Sequence, residues 1–442
     1  LESSLLRLSD NFVVIEDSLG ERGRLYHVPS LTQVNSVSPL MLKTIKLLMQ
    51  GQRPKKVPVY AAQKCDIFLE TEILDCISDM FRVGILVEGQ PKEYCYGMRK
   101  SYTKPPLDMI SLELTTRCNL KCIHCYVPPI AGAKSKELSN EEIKRLIDDA
   151  VELGVWRFSL TGGEIFLRDD ILDILHYLRF KGMVIDIFTN ATLIDDAMIG
   201  ELAKLKLRQL ATTITGLGPT HDRFQGTKGA YNKVCRTIAK LKEKGIALRI
   251  NVILHKSNRN EFYELIQIIR RLGFSWRISN IMSLGRGKES NYLNLPEQQF
   301  ADMLASAYEA KITSNIVIQG RHPVEQIDND GPIAPSCGVG SFRMFISAVG
   351  ETGLCEVLSH STNPKFGSGN IRDRSIKEIW EYGEGFNRYR NFQCNRIDRC
   401  QHASLCRGGC RARAYIEGGS VEEPDKIACF VLPRIKHDSV PR

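Results

Sequence analysis

The stretch Met109-Ile110-Ser111-Leu112-Glu113-Leu114-Thr115-Thr116-Arg117-Cys118-Asn119-Leu120-Lys121-Cys122-Ile123-His124-Cys125-Tyr126 decides how the chain is read. Residues 109–114 read as a strand, and Cys118, Cys122 and Cys125 follow it directly with the spacing C-x3-C-x2-C. Three soft thiolates on one short loop suit three irons of an iron–sulfur cubane, and they leave the fourth iron open to a ligand. A structural zinc site closes with four ligands. His124 is the nearby candidate for a fourth, but it sits inside the loop between two cysteines, so zinc is the weaker reading.

Outward from this loop, strand-like runs alternate with amphipathic helical runs. Strands are expected at 109–114, 156–160, 183–188, 208–215, 247–254 and 275–281, and helices near 139–153, 169–181, 194–204, 230–244 and 259–272. Four helices run into Gly154, Gly182, Gly245 and Gly273, the residue type that ends a helix without strain. Ser139 and Glu142 have the spacing of a capping box. Six strands separated by helices imply an α/β fold with a parallel sheet, either open or curled into a partial (β/α)6 barrel. Function then collects at the carboxyl ends of the strands.

Before the sheet, Asn11–Glu16 and Gly23–Val28 read as a hairpin with Gly20 in its turn. A helix runs from Ser38-Pro39 to about Met49, a second spans roughly Glu72–Val83, and Ile85–Val87 follows. Lys100–Pro106 reads as a linker. Beyond about residue 330 the alternation stops, and residues 337–429 hold seven of the fourteen cysteines. This segment is expected to bury little apolar surface and to rely on metal for folding. Cys65, Cys76, Cys95 and Cys235 have no partner spacing and are expected to act as small buried hydrophobes.

Composition narrows the function class. A chain of 442 residues suits two or three domains, and 43% hydrophobic with 25% charged residues is usual for a soluble globular protein. No apolar run reaches membrane-spanning length and no signal peptide is evident, so the expectation is a cytoplasmic protein with no membrane partner. The net charge of +9 is spread along the chain without a basic block, which argues against nucleic acid. Clustered cysteines in such a chain point to metal or redox chemistry.

The Cys118–Tyr126 segment resembles the signature of radical S-adenosylmethionine (SAM) enzymes, and the resemblance extends along the sheet. Thr161-Gly162-Gly163-Glu164 resembles the family's GGE motif, in which a carboxylate is expected to pair with the methionine ammonium. Thr189-Asn190 stands where the family has a polar pair near the ribose, although Ala191 replaces the usual glycine after it. Thr213 resembles a hydroxyl that helps hold the methionine carboxylate. His221-Asp222-Arg223-Phe224-Gln225-Gly226 resembles an HDxFRG motif in which Gln225 replaces the arginine, with Arg223 as the alternative clamp. Gly285-Arg286-Gly287 also occurs in relatives near the cofactor. The resemblance thus implies SAM contacts from Tyr126, Gly162, Gly163, Glu164, Thr189, Asn190, Thr213 and Gln225, and it assigns no catalytic side chain.

Cys337, Cys355, the run Cys394-x5-Cys400-x5-Cys406-x3-Cys410, and Cys429 together resemble a SPASM domain. By that resemblance Cys337, Cys355 and Cys410 hold one auxiliary iron–sulfur cluster, and Cys394, Cys400, Cys406 and Cys429 hold a second. Ile397 occupies the usual first position of the run, with Cys394 as its replacement. Zinc knuckles are the alternative.

The N-terminal module, with Val34-Asn35 entering a helix and Arg82-Val83-Gly84-Ile85-Leu86-Val87 closing the second, resembles a PqqD-like peptide recognition element. Such an element binds a leader peptide as an added strand. A DNA-binding or structural winged helix is the alternative.

The whole resembles maturases of sactipeptides and ranthipeptides. It implies a winged-helix-like recognition element over 1–100, a radical SAM core over 101–325 and a SPASM domain over 326–442. Implied partners are a ribosomal precursor peptide and a flavodoxin or ferredoxin-type reductant. Implied cofactors are SAM, one [4Fe–4S] cluster and two auxiliary clusters. The implied reaction is hydrogen abstraction by a 5′-deoxyadenosyl radical, followed by an intramolecular cysteine thioether. Carbon–carbon crosslinking, epimerisation or another peptide oxidation fits the same scaffold. An iron–sulfur electron carrier or a leader-binding protein is the non-enzymatic alternative.

Overall fold

The computed structural model describes residues 5–17, 23–28, 32–54, 57, 67–89, 98–127, 137–309, 316–318, 337–361, 363–390, 392–406 and 408–434. Cys65 and Cys95 lie outside them. The N-terminal part contains β1 (Leu6–Leu8), β2 (Phe12–Glu16), β3 (Gly23–His27), β4 (Thr32–Val37), β5 (Leu86–Glu88) and β6 (Met98–Lys100). Strands β2, β3 and β4 form an antiparallel meander, and β6 adds parallel to β2. The helix Pro39–Met49 starts where expected, with the Ser38 side chain capping it. The second helix, Ile67–Arg82, begins earlier than its apolar periodicity suggested. The expected linker is tied down at its start. Met98–Lys100 is a strand, the Ser101 amide donates to Glu16 and the Tyr102 amide donates to Leu153.

The core sheet has ten strands among the described residues. β7 (Met109–Glu113), β8 (Arg157–Thr161), β9 (Val184–Phe188), β10 (Gln209–Ile214), β11 (Leu248–Ile253) and β12 (Ser275–Ser279) are the six expected parallel strands, adjacent in chain order. β13 (Ile316–Ile318) extends the sheet beyond β12, and β14 (Arg343–Ile346) pairs parallel with β7. β15 (Glu351–Gly353) and β16 (Gly367–Asn370) complete it antiparallel. The helices lie within a few residues of their expected spans, at Asn140–Glu152, Ile171–Phe180, Asp196–Lys204, Ala230–Glu243 and Phe262–Arg271. Ser139 and Glu142 form the expected capping box.

Alternation along the strands sorts the residues onto two faces. One face is apolar. Ile110, Leu112, Phe158, Leu160, Ile185, Ile187, Ile250 and Val252 are fully buried in one large cluster with the helices. The other face carries Ser111, Glu113, Arg157, Ser159, Asp186, Arg249, Asn251 and Arg277, brought into line by the strand register.

The C-terminal part corrects an expectation. Trp380, Phe386, Tyr389 and Val431 are buried in the same cluster as the core helices, so this segment shares the main core. The sheet makes that possible, because β14 enters it beside β7 and carries the following chain onto the barrel edge.

Candidate functional site

The Cys118–Cys125 loop leaves β7 and is clasped from three sides. The Ile123 amide donates to the Phe224 carbonyl at 3.0 Å. Arg286 Nε donates to the Cys122 carbonyl at 2.8 Å, and Ser290 Oγ donates to the Ile123 carbonyl at 2.9 Å. Gly287 packs so closely that a Cβ there would stand 2.2 Å from the Met282 carbonyl oxygen and 3.1 Å from that of His124. The loop's conformation is therefore imposed by two distant segments, 221–226 and 285–290.

The three thiols sit close enough to act on one another. Cys122 is pushed up to about 12 by burial and then by the charges of Cys125 and Cys118. Burial also raises Cys118, with Cys125 among the contributors. Among the described residues, no group of three or more His, Cys, Asp or Glu converges on a single ion. Three soft thiolates on one loop are the donor set of an iron–sulfur cluster. His124 is occupied otherwise: it stacks on Phe224 at 5.0 Å, which stacks on His255 at 3.9 Å. Burial, His255, His221 and Arg286 hold His124 down at about 3, so it is neutral.

Gly162 and Gly163 lie against the segment that enters the loop. A Cβ on Gly162 would meet the Thr115 oxygen at 2.5 Å, and one on Gly163 the Arg117 oxygen at 2.2 Å. The Gly163 amide donates to Thr115 and the Glu164 amide to Arg117. Glu164, expected from the sequence to meet the methionine ammonium, follows β8 beside these glycines. Its side chain is fully buried and accepts from the Asn190 amide at 2.7 Å, the Phe166 amide at 3.1 Å and Thr189 Oγ1 at 2.8 Å. Its carboxylate thus pins the ends of β8 and β9 together. Asn190 reaches the loop directly, with Nδ2 donating to Asn119 Oδ1 at 2.9 Å and lying 3.8 Å from Cys118 Sγ. Ala191 keeps the left-handed backbone, φ 57°, of the glycine it replaces.

Thr213 is half-buried near the carboxyl end of β10, level with Asn251. Gln225 is buried and accepts a hydrogen bond from the Cys122 thiol, which places it at the cysteine loop. Arg223, the alternative clamp, lies away from the cysteine loop. It is exposed and bonds Thr220 within its own helix, because the turn from 221 to 225 puts it on the opposite side from Gln225. Tyr126 is half-buried and packs against the main core cluster. Burial raises its phenol well above the usual value, with Glu356, Cys125, Glu113 and Cys355 contributing.

The C-terminal cysteines fall into the two expected sets. Burial raises the thiols of Cys337 and Cys355, with Cys410 contributing to both, in a region that also holds Glu356 and Arg343. Cys394, Cys400, Cys406 and Cys429 line one cavity of about 500 Å3 with His402 and Asp425. Asp425 joins the sets: it accepts from the Cys410 amide at 2.7 Å, takes the Arg413 guanidinium at 2.6 Å, and caps the helix Lys426–Val431 that carries Cys429. Four thiols around a cavity of that size, and three neighbouring thiols beside Arg343, fit anionic iron–sulfur clusters.

Sequence reasoning missed Asp425, Arg413 and the polar face of the sheet. The last had a signal: Arg157-x-Ser159, Arg249-x-Asn251 and Asp186 place polar groups with period two inside runs otherwise fit for a buried parallel strand.

Comparison with known proteins supplies the remaining evidence. Residues 112–269 match the Radical SAM superfamily, and residues 337–411 match SPASM, an iron–sulfur cluster-binding domain. The chain is 29% identical to an AdoMet-dependent heme synthase of Methanosarcina barkeri over 73% of this chain and 96% of that one. It is 26% identical to a PqqA peptide cyclase of Granulibacter bethesdensis over 75% and 89%. Among solved structures, Streptococcus suis SuiB bound to its precursor peptide SuiA aligns with a TM-score of 0.65 and 15% identity, over 96% of this chain and 99% of that one. A radical SAM domain works with SAM and a [4Fe–4S] cluster, and a SPASM domain binds auxiliary iron–sulfur clusters. This chain is a radical SAM core joined to a C-terminal SPASM domain.

Proposed function

We propose that the protein is a radical SAM maturase that modifies a ribosomally made precursor peptide by forming an intramolecular cysteine thioether. The observation that carries the peptide reading is the alignment with SuiB, which takes in nearly the whole chain, including the N-terminal module. The heme synthase relatives favour a tetrapyrrole reading through identity, but their matches leave about a quarter of this chain outside. The N-terminal unit, residues 1–100, is read as the leader-binding element. Among the described residues its edge strand β4 has one sheet neighbour, β3, and can accept a further strand.

In this reading Cys118, Cys122 and Cys125 hold the [4Fe–4S] cluster, and the Gly162–Gly163 edge, Asn190, Thr213 and Gln225 surround the bound SAM. When bound, the pair supplies one-electron cleavage of SAM to a 5′-deoxyadenosyl radical. Glu164 orients the glycine edge through Thr189 and Asn190. Tyr126, His124 and Phe224 exclude water from below the loop. Cys337, Cys355 and Cys410 hold one auxiliary cluster and the remaining four C-terminal cysteines the other. Clusters held there would offer an exit for the one electron left on the peptide after the 5′-deoxyadenosyl radical has taken a hydrogen atom and the thioether has formed. A flavodoxin or ferredoxin-type donor has access on the Cys118 side. Cys118 is exposed, and Thr192, bonded to Asn119, borders a groove of about 550 Å3 lined also by Lys233, Arg236 and Lys240.

Mass spectrometry of a co-expressed precursor tests the reading. Loss of two hydrogens, with one thiol no longer alkylated by iodoacetamide, is expected. Loss of two hydrogens with every thiol still free indicates a carbon–carbon bond, and an unchanged precursor rejects the peptide reading.

A further inference from the structure

Charges on the polar face of the sheet do not balance. Asp186 holds both Arg157 and Arg208. Glu356 holds Arg343 and Ser111, and Glu113 takes His360 and the Ala348 amide. Arg249 and Arg277 are left over. Arg249 Nε and Nη2 and Arg277 Nε are buried without a hydrogen-bond partner among the described residues. The described contact of Arg249 is a cation–π stack on Phe188, 5.1 Å from the ring centroid. Asn251 lies two residues beyond Arg249 and beside Arg277 across the strands, and its buried Oδ1 also lacks a partner among the described residues. Burial, with Arg277 next, holds Arg249 down at about 9. Buried cations are ordinarily paired, and orphaned donors of this kind need an occupant to explain them.

The methionine carboxylate of SAM is the competing occupant, because Thr213 on β10 stands level with Asn251, but the other SAM-side residues lie farther along the sheet. Gly162, Gly163 and Asn190 follow β8 and β9, whereas Arg249 and Arg277 lie on β11 and β12, with β10 between. Arg277 faces Cys410 and Cys337, so the pair reaches from mid-sheet toward the first auxiliary cysteine set.

We propose that Arg249 and Arg277 bind a carboxylate of the substrate, an acidic side chain or a chain-terminal carboxylate seated on the polar face. A guanidinium fork matches the two oxygens of a carboxylate, and Asn251 Oδ1 takes an N–H from the same residue. The proposal rests on the peptide reading only in that a peptide delivers the acid.

The test uses reconstituted, SAM-loaded holoprotein and two small probes, N-acetyl-L-glutamate N-methylamide and its glutamine counterpart. Binding is read by NMR from line broadening of the probe by the clusters. Wild type should bind the acid about tenfold or more tightly than the amide. Arg249→Gln should abolish the preference and Arg249→Lys should keep part of it, with SAM affinity unchanged in both. Equal binding of the two probes by wild type overturns the proposal, as does an acid preference that survives in both Arg249→Gln and Arg277→Gln. A tenfold loss of SAM affinity with the probes unaffected also overturns it, because it assigns the pair to the methionine carboxylate. The probes need neither leader nor precursor. An acid preference alongside an unmodified precursor would therefore reject the peptide reading and leave this site standing.

Discussion

Gly163 and Gly200 show how differently one residue type can act. A methyl group on Gly163 would collide with the backbone of Arg117, which leads straight into Cys118. Gly163→Ala is expected to displace the loop and weaken SAM binding by more than tenfold, measured by equilibrium dialysis on reconstituted protein. Gly200 lies within the helix Asp196–Lys204 with open space where a Cβ would stand, so Gly200→Ala should stabilise by about 0.5–1 kcal/mol in denaturant unfolding. His221 and His255, both held down at about 4 by burial, are neutral in the fold. The unfolded chain regains the ordinary histidine value, so it binds more protons than the folded chain below about pH 6.5. Stability present above that pH is lost as pH falls toward about 4, at up to ~1.4 kcal/mol per pH unit for each histidine. Unfolding of metal-free His221→Gln should therefore show a loss between about pH 6.5 and pH 5 smaller than wild type by up to ~2 kcal/mol. An identical loss in the two proteins would contradict this.

At the scale of elements, the helix Lys426–Val431 has only six residues and depends on its cap. Asp425 supplies that cap while pairing with Arg413, and both side chains are essentially inaccessible. Asp425→Asn leaves a buried guanidinium without its counter-charge, at a cost of about 3–5 kcal/mol. Because Asp425 also holds the Cys410 amide, iron per protein should fall toward the content of the radical SAM cluster alone. Retention of full iron would show that the two cysteine sets do not depend on this joint.

Across the whole molecule, the N-terminal module is docked on the core by a small apolar patch, the Arg24–Asp108 ion pair and Arg99, whose Nη2 donates to the Lys181 and Gly182 carbonyls. Val13, Ile15, Tyr26 and Val28 pack with Trp156 and Val184 of the core. Arg24 donates to both oxygens of Asp108, whose carboxyl is raised by burial despite that partner. Arg24→Ala should loosen the module by about 1–3 kcal/mol, and limited proteolysis near residues 100–106 should speed up. Unchanged cleavage would mean that the apolar patch and the Arg99 hydrogen bonds suffice for the docking.

Local sequence determined the alternating strands and helices of the core, the capping box at Ser139 and the spacing of the first three cysteines. These follow from periods of two and 3.6 and from short-range hydrogen bonds, which operate within a few residues. The grouping of the C-terminal cysteines came from the SPASM resemblance and not from local periodicity. The three-residue strands β1, β5 and β6 were legible only in part or not at all, because such strands exist through their partners. β4, with the sequence Thr-Gln-Val-Asn-Ser-Val, is too polar to announce itself. The tertiary structure alone decided that Glu164 turns inward, that Arg223 turns outward, and that Asp425 bridges two cysteine sets. It also decided that Arg249 and Arg277 find no carboxylate among the described residues. Each of these depends on which distant carboxylates and amides reach the same place, and the balance of buried charge is settled only when the strands lie side by side.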